Sequence, residues 1–369
     1  MKALEEVKKN PYLLVDETYG VDFAVMDAIA LGQGLPGDSP RRVDAAVLFE
    51  LSYNLGNGHV FLPRDKLVDA ASRLIDCPAD MVEAALDSLV ERGAVCREQV
   101  ARVEACYLRR LHEAERNVTA RLDRMLRFQA DRLVPERVEE TIAQIEAGQG
   151  ITYAPAQRRA VELAARQGVV LLTGGPGTGK TTSVRGIVAL LDRMGCTMML
   201  MAPTGRAAKR LGELCGREAQ TIHRALGTTW QDEQVVFQRS EKDPLEAEAV
   251  IVDEMSMVDL PLMSALLSAL KPDCRLVMVG DPDQLPSVGP GNVFGDLIRS
   301  GRVETVALTE IFRQAQASAI VRAAHAVNSG QLPELKNPPD SDFFFMRRRD
   351  PLTAVDLVVE LCKPRLPQN

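Results

Sequence analysis

A glycine-rich stretch between an apolar run and a helical pattern limits the possible folds of this chain more than any other feature. Residues 174–181 read Gly-Gly-Pro-Gly-Thr-Gly-Lys-Thr and satisfy the pattern G-x-x-x-x-G-K-[ST] in full. The apolar residues 169–173 precede it, and residues 183–191 follow with apolar positions at helical spacing. Such glycines let successive backbone N–H groups face one centre at a helix N-terminus, where the helix dipole favours anions. The sequence therefore predicts a strand, a phosphate-binding loop and a helix, and the binding of a nucleoside triphosphate.

The segment after residue 150 contains further apolar runs of strand length. They have no polar alternation, which is typical of strands buried on both faces in a parallel sheet covered by helices. Because they alternate with helical segments, we expect a doubly wound α/β domain. The predicted strands are residues 169–173, 197–202, 249–253, 274–280 and 305–308.

Charged and hydroxyl side chains lie at positions that suit the binding of a triphosphate with Mg²⁺ and its hydrolysis. Lys180 supplies a point charge for the β- and γ-phosphates, and the Thr181 hydroxyl is placed to bind Mg²⁺. Asp253 and Glu254 end an apolar strand, where the first carboxylate suits Mg²⁺ and the second can orient or deprotonate the attacking water. Acids at a strand end are also frequent helix caps. After a complete phosphate loop, the pair favours hydrolysis over transfer to a small acceptor.

Two later residues are candidates for sensing or stabilising the γ-phosphate. Gln284 lies in the turn 280–286, where an amide at a strand tip reports the presence of that phosphate. Arg313 lies just beyond another strand, where a guanidinium stabilises the developing charge. The alternatives are a proline-stiffened turn and an ordinary surface arginine.

The first 150 residues are predicted to be mostly helical. Helices at 67–74 and 81–90 with a short strand at 94–96 indicate a winged-helix-like module. Residues 109–137 are rich in arginine at helical spacing. They form either a nucleic-acid-facing helix or, as we favour because acids interleave, a solvated linker helix with i, i+4 ion pairs.

Composition excludes several classes of protein. Of the 369 residues, 46% are apolar and 26% charged, which is typical of globular rather than disordered chains. No apolar run approaches the ~18–20 residues that a membrane-spanning helix needs. The seven cysteines form no C-x-x-C pair and the four histidines are dispersed, so we expect reduced thiols, no zinc site and a cytoplasmic protein.

The distribution of charge bears on nucleic-acid binding. The net charge of −7 argues against a protein that merely coats nucleic acid. Residues 151–330 hold 19 basic and 19 acidic side chains, so a polyanion bound there must meet a local basic groove.

Several motifs occur in one order along the chain: residues 174–181, 202–208, 221–224, 253–254, 280–286 and 308–314. This ordered set closely resembles superfamily 1 helicases of the RecD-like branch, the exonuclease V alpha-subunit type. A looser likeness to the stand-alone bacterial RecD-like enzymes extends upstream through residues 10–12 and 58–63.

The resemblance implies a RecA-like P-loop NTPase domain within an ATP-dependent DNA helicase that moves 5′ to 3′ on single-stranded DNA. It implies ATP and Mg²⁺ as cofactors and a place in DNA repair or recombination. The implied partners are single-stranded DNA or a duplex with a 5′ overhang, together with single-stranded DNA-binding protein or subunits of a nuclease complex. No membrane partner is implied.

The family's functional residues carry over to matching positions of this chain. Gln157 resembles the glutamine that reads adenine, while Asp253 and Glu254 match the second magnesium contact and the catalytic base. Gln284 and Arg313 match the γ-phosphate sensor and an arginine finger. The remaining nucleotide contacts are Gly175, Pro176, Gly177, Thr178, Gly179, Lys180, Thr181 and Thr182.

A second set of matching residues is expected to contact the DNA strand. Hydroxyls, backbone N–H groups and an arginine hold phosphates without reading sequence. For the two threonines of this set, the competing role is helix N-capping. The residues are Pro203, Thr204, Arg206, Thr221 and His223.

The resemblance also implies a domain layout. We expect a helical N-terminal region at 1–106, linker helices at 107–150, the first motor domain at 151–335 and the start of an incomplete second motor domain at 336–369, with its first strand at 342–346. Because translocation needs two lobes, we expect no processive motion from this chain alone.

Two alternatives to a motor remain, and one motif departs from its usual form. The alternatives are a nucleotide-switched DNA-binding fragment and an ATPase that acts on protein partners. Residues 20–23 resemble a helix-hairpin-helix turn, but Asp22 stands where a second glycine is usual. Because an acid repels a DNA phosphate, backbone binding there is doubtful.

Overall fold

The computed structural model describes residues 5, 7, 9–15, 21–128, 138–231, 234–310 and 317–365. The chain divides into two compact units, one formed by residues 1–174 with 180–308 and the other by residues 175–179 with 309–369. Among the described residues, no helix combines the length and the apolar character that crossing a membrane requires.

The N-terminal part of the first unit contains a winged-helix module. Two helices come first, α1 (Phe23–Gly32) and α2 (Pro40–Tyr53), followed by the elements of a three-stranded antiparallel sheet and its helices. The sheet has the order β1-β3-β2, with two helices between β1 and β2 and a hairpin joining β2 to β3. These elements are β1 (Leu62–Pro63), α3 (Arg64–Ile75), α4 (Ala79–Glu91), β2 (Val95–Val100) and β3 (Val103–Leu108).

The helices of this module follow the predicted apolar pattern. Leu67 and Ala71 of α3 and Val82 and Leu86 of α4 are completely buried in one cluster, as residues at i, i+4 spacing on one face should be. Both helices begin directly after a proline, which fixes the entry of the chain. Both predicted helices are confirmed with slightly wider bounds, and the predicted strand at 94–96 is the start of the longer β2.

Two helices, α5 (Arg109–Phe128) and α6 (Val138–Gln149), lead into the larger domain. The apolar face of α5 is buried in the same cluster as α11 (Leu260–Ala269), and the Asn117 amide donates to the hydroxyls of Ser264 and Ser268 at 2.9 Å each. Its arginines form ion pairs, such as Arg127 with Asp123 at 2.6 Å. The packing and ion pairs support the linker interpretation; residues 129–137 of the predicted stretch lie outside the described residues.

A six-stranded parallel sheet forms the centre of the first unit. Its order is β11-β4-β10-β9-β5-β6, so the five strands predicted from sequence stand in the order 5-1-4-3-2. This is the RecA-like arrangement, and the predicted α/β class is confirmed. The strands are β4 (Val169–Gly174), β5 (Met198–Ala202), β6 (Ala219–Thr221), β9 (Ala249–Val252), β10 (Arg275–Gly280) and β11 (Glu304–Leu308).

Helices cover both faces of this sheet, which explains why its strands are continuously apolar. Consecutive residues point to opposite faces, so Leu171 belongs to one buried cluster and Leu172 to the other. One face packs against α7 (Pro155–Arg166) and α8 (Lys180–Arg193), and the other against α5 and α11. Because all strands run the same way, the side chains that follow them gather at one edge.

The remaining elements of the first unit are short. After β5 comes α9 (Gly205–Cys215), and β6 leads into α10 (Ile222–Ala225). A two-stranded antiparallel hairpin follows, formed by β7 (Thr228–Gln231) and β8 (Gln234–Phe237), and α12 (Val293–Ser300) precedes β11.

The second unit contains α13 (Ala319–Asn328) and α14 (Pro351–Arg365). The predicted strand at 342–346 is wrong, because these residues form no strand. The Asp342 carboxylate accepts from the N–H groups of Ala319 and Ile320 and so caps α13. The backbone of Phe345 pairs with the Asn337 side chain at 2.8 and 2.9 Å, where a strand would need a neighbouring backbone.

Candidate active site

The backbone of the glycine-rich loop 175–179 is curled, and the side chain of Thr178 within the loop holds this conformation. Gly177 and Gly179 have φ angles of 76° and 86°, a left-handed conformation that glycine adopts without a steric penalty. The hydroxyl of Thr178, which is buried, donates to the carbonyl oxygen of Gly175 at 2.8 Å. The chain then enters the fourteen-residue helix α8 at Lys180, as a phosphate-binding loop requires.

In the first unit, a lysine lies within electrostatic reach of two half-buried carboxylates. Lys180 begins α8 directly after β4, and its Nζ donates to the carbonyl oxygen of Gly174. Asp253 and Glu254 follow β9, two positions away in the sheet. Burial raises the pKa of both carboxyls, and Asp253 raises that of Glu254 further. The positive charge of Lys180 acts in the opposite direction on each, so the sheet edge brings together three residues that the sequence predicts.

The backbone turns sharply at the second acid. Glu254 has a φ of 56°, a left-handed conformation that disfavours a residue with a side chain by roughly 1–2 kcal/mol. Its N–H donates to Oδ1 of Asp253 at 2.9 Å, and its carbonyl accepts from Met257 in a short 3₁₀ turn. Strain of this kind collects at functional sites, where it fixes the direction of a side chain.

Two charged residues near this pair were missed by the sequence analysis. Asp281 follows β10, the strand between β4 and β9, is 3% exposed, and raises the pKa of Glu254. Arg210 on α9 lowers the pKa of both Asp253 and Glu254. The position of Asp281 at a strand end was a usable signal, whereas nothing in the sequence around Arg210 indicates its nearness to the acids.

These residues fit a nucleotide with its magnesium ion. A threonine hydroxyl and carboxylates are the oxygen ligands that Mg²⁺ prefers, and buried acids with raised pKa values gain from a nearby cation. Within the described part of the chain, no group of three or more acids, histidines or cysteines is close enough to hold a metal on its own.

Two segments of the chain match known family models. Residues 1–61 match the family model of the ATP-dependent RecD2 DNA helicase HHH domain, and residues 157–290 match that of an AAA domain. The ATP-dependent RecD2 DNA helicase of Deinococcus radiodurans is 31% identical over 348 residues, which cover 90% of this chain and 46% of that protein. These matches support the assignment of this chain to the RecD-like branch of superfamily 1 helicases.

Other RecD-like relatives match shorter segments. The RecBCD enzyme subunit RecD of Mycolicibacterium smegmatis is 42% identical over 165 residues, 38% of this chain and 30% of that protein. The ATP-dependent DNA helicase dda of phage T4 is 40% identical over 126 residues, 33% of this chain and 29% of that protein. The chain thus spans less than half the length of each of these three relatives.

Three of the residues implied by the RecD-like resemblance to contact nucleotide either make hydrogen bonds within the protein or lie outside the described residues. Gln157 is 3% exposed, and its Oε1 accepts from the N–H of Ala154 at the start of α7. Gln284 is exposed in the turn after β10, where its N–H donates to the carbonyl oxygen of Asp281. Arg313 lies outside the described residues. The roles of all three remain predictions.

The five predicted DNA contacts of this RecD-like chain lie at two neighbouring strand ends. Ala202 of β5 is in register with Thr221 of β6, so the segments that follow these strands are adjacent. Both threonines cap helices: Thr204 Oγ1 accepts from Ala207 at 3.2 Å, and Thr221 Oγ1 accepts from Arg224 at 3.1 Å. The capping alternative is confirmed, and DNA contact by Pro203, Thr204, Arg206, Thr221 and His223 remains a prediction.

The unusual acid of the helix-hairpin-helix motif has a structural role. The Asp22 carboxylate accepts from the N–H of Ala24 at 2.7 Å and caps α1. Asp22 is therefore explained by helix capping, which is a frequent use of aspartate. Gly20 of the same motif lies outside the described residues.

Proposed function

We propose that this chain binds ATP with Mg²⁺ and hydrolyses it, and that hydrolysis drives movement 5′ to 3′ along single-stranded DNA as part of a DNA helicase. The observation that carries the proposal is the grouping of Lys180, Asp253 and Glu254 at the carboxyl edge of the parallel sheet. A cation beside two half-buried acids is the arrangement that phosphoryl transfer to water needs.

Each residue has a distinct task in this proposal. Bound Mg²⁺ neutralises charge on the β- and γ-phosphates. Lys180 binds phosphate oxygens, while the Thr181 hydroxyl and the Asp253 carboxylate hold the ion. Glu254 orients the attacking water and accepts its proton, since its raised pKa makes it a better base than an exposed glutamate.

A short hydrogen-bonded route joins this chemistry to the predicted DNA contacts. The N–H of Asp253 donates to the carbonyl oxygen of Met201 at 2.9 Å. Met201 lies two residues before Pro203 and three before Thr204, where DNA contact is predicted. We propose that ATP hydrolysis shifts the carboxylate pair and, through this hydrogen bond, the predicted DNA-binding segment, which is the coupling that a motor requires.

The family supports the finer parts of the proposal. Direction of movement follows from the RecD-like resemblance, as does a substrate of single-stranded DNA or a duplex with a 5′ overhang. Action in the cytoplasm is proposed from the number and spacing of the cysteines. Single-stranded DNA-binding protein and subunits of a nuclease complex are proposed partners in repair or recombination. We also propose the four-part layout of 1–106, 107–150, 151–335 and 336–369.

ATP hydrolysis by the full chain, with and without a single-stranded oligonucleotide, tests the proposal. We expect the oligonucleotide to stimulate hydrolysis and Glu254→Gln to abolish the stimulated rate, while Glu213→Gln, an exposed glutamate on α9, has no effect. Because no processive motion is expected of this chain alone, strand displacement from duplexes with 5′ or 3′ tails tests direction once a second motor lobe is supplied. Binding that changes with nucleotide but without turnover would instead indicate a nucleotide-switched DNA-binding protein.

A further inference from the structure

Within the second unit, a histidine contacts the glycine-rich loop. Nε2 of His325, on α13, lies 3.2 Å from the carbonyl oxygen of Pro176. A carbonyl oxygen only accepts, so Nε2 carries the proton and donates. The ring also packs over Gly175, where a Cβ would lie 3.1 Å from its Cε1. The loop and the imidazole are therefore fitted to each other in both hydrogen bonding and shape.

The hydrogen bonds donated by His325 and by Thr178 are accepted by consecutive carbonyl groups of the loop. The Gly175 carbonyl accepts from the Thr178 hydroxyl, and the Pro176 carbonyl accepts from His325. A carbonyl oxygen turned toward a triphosphate would repel it, whereas backbone N–H groups attract it. Holding both carbonyls on protein donors therefore favours the loop conformation in which N–H groups are available to phosphate.

We propose that His325 is a positioning residue for nucleotide binding: it holds the phosphate loop in its binding conformation before the nucleotide arrives. The proposal rests on the proposed function, because it assumes that the loop binds a triphosphate. A loop already in its binding conformation loses less conformational entropy when the nucleotide binds, so affinity rises. Since α13 begins six residues after Arg313, the same stretch of chain supplies the predicted arginine finger and the loop contact.

The contact is not explained by core packing. None of the residues of α13 is buried, so the helix contributes no side chain to a hydrophobic core. Replacing His325 therefore removes the loop contact with little effect on folding, which makes the proposal testable by substitution.

The test measures binding of a non-hydrolysable ATP analogue with Mg²⁺ to the full chain by calorimetry, and KM and kcat of ATP hydrolysis. For His325→Ala we expect Kd and KM to rise about threefold to tenfold, the effect of losing one hydrogen bond. We expect kcat within about twofold, because the contact acts equally before and during the reaction. His325→Gln keeps a donor and should restore affinity, and Val327→Ala, an exposed position on the same helix, should match the wild type.

A double-mutant cycle with Gly175→Ala separates this contact from a general effect on the loop. The added methyl should weaken binding in the wild type, because it meets the imidazole, and weaken it less in the His325→Ala background. Wild-type protein that binds no nucleotide would overturn the proposed function. Wild-type binding with an unchanged His325→Ala, no rescue by glutamine, or equal effects of Gly175→Ala in both backgrounds would overturn the role of His325 alone.

Discussion

Two clusters of partly buried charged residues in the first unit differ in the direction in which the pKa values of their carboxylates are shifted. In the N-terminal region, Arg42 makes a two-pronged contact with Asp27 at 2.7 and 2.8 Å, and the Tyr12 hydroxyl donates to the same carboxylate at 2.6 Å. Arg42 also donates to the carbonyl oxygens of Gly37 and Ile75. The hydrogen bonds from Arg42 lower the pKa of Asp27 despite its burial.

At the edge of the parallel sheet, burial prevails instead. Asp253 accepts from the N–H of Glu254, yet the pKa values of both acids are raised, because Lys180 and Arg210 only partly offset desolvation. In the first cluster, Arg42 and Tyr12 donate hydrogen bonds to the Asp27 carboxylate, and the cluster stabilises the fold. In the second cluster, ionisation of the two carboxyl groups is unfavourable in the protein alone and becomes more favourable beside a bound cation. Such an arrangement is typical of a functional site.

Removing the proposed catalytic base, Glu254, should give the largest effect of all. Glu254→Gln keeps the shape of the side chain but cannot accept a proton, so the rate of ATP hydrolysis should fall about 10²- to 10⁴-fold. Affinity for the non-hydrolysable analogue should stay within a few-fold. Steady-state hydrolysis beside calorimetry checks both, and a rate within tenfold of wild type would show that Glu254 is not the base.

Breaking the ion pair of Arg42 with Asp27 should lower the stability of the fold rather than the rate of ATP hydrolysis. Arg42→Met leaves the Asp27 carboxylate buried without its cation, which should lower the free energy of unfolding by about 3–5 kcal/mol. Arg73→Met, which breaks an exposed ion pair with Asp69, should cost less than about 1 kcal/mol. Urea denaturation compares the two. Equal losses would mean that the Asp27 cluster is no more stabilising than a surface pair.

Thr204 caps α9 and is also a predicted DNA contact, and substitutions at this residue can separate the two roles. Thr204→Ala should lower the free energy of unfolding by about 1 kcal/mol through loss of the cap to α9. Thr204→Asp should restore the cap while its charge weakens binding to single-stranded DNA, and Thr204→Ser should preserve both. Urea denaturation and the fluorescence anisotropy of a labelled oligonucleotide measure the two properties. Unchanged DNA affinity in Thr204→Asp would limit Thr204 to capping.

The pH dependence of stability should have opposite signs in the two clusters. Because the pKa of Asp27 is lowered, its contribution is present at neutral pH and is lost as pH falls through that value. Because the pKa of Asp253 is raised, its ionisation destabilises the fold at neutral pH, and this penalty fades as pH falls through the raised value.

Thermal unfolding of the asparagine variants checks these signs. Asp253→Asn should raise Tm at neutral pH by roughly 2 °C, and Asp27→Asn should lower it, with both differences shrinking in acid. A lower Tm for Asp253→Asn at neutral pH would contradict the assignment of this acid as an unfavourable buried charge.

The central sheet and its carboxylate pair were predictable because their signals are local. Apolar runs give the buried strands, and the glycine pattern with Lys180 gives the loop. The residues that contact or act on these features were not predictable. Arg210 approaches the carboxylate pair, and His325 the glycine-rich loop, only through the tertiary fold. The phenylalanines at 343–345 suggested a strand, but strand formation depends on a neighbouring backbone, and Asn337 occupies that place.

Equilibrium binding of a non-hydrolysable ATP analogue to the full chain tests the central claim most directly. We predict one saturable site whose affinity is strengthened by Mg²⁺ and weakened by more than about tenfold in Lys180→Ala, because a charged hydrogen-bond donor is lost. Lys209→Ala, an exposed lysine on α9, should bind as the wild type does. Undetectable binding to the wild type, or equal binding to Lys180→Ala, would contradict the proposal that residues 174–181 bind ATP.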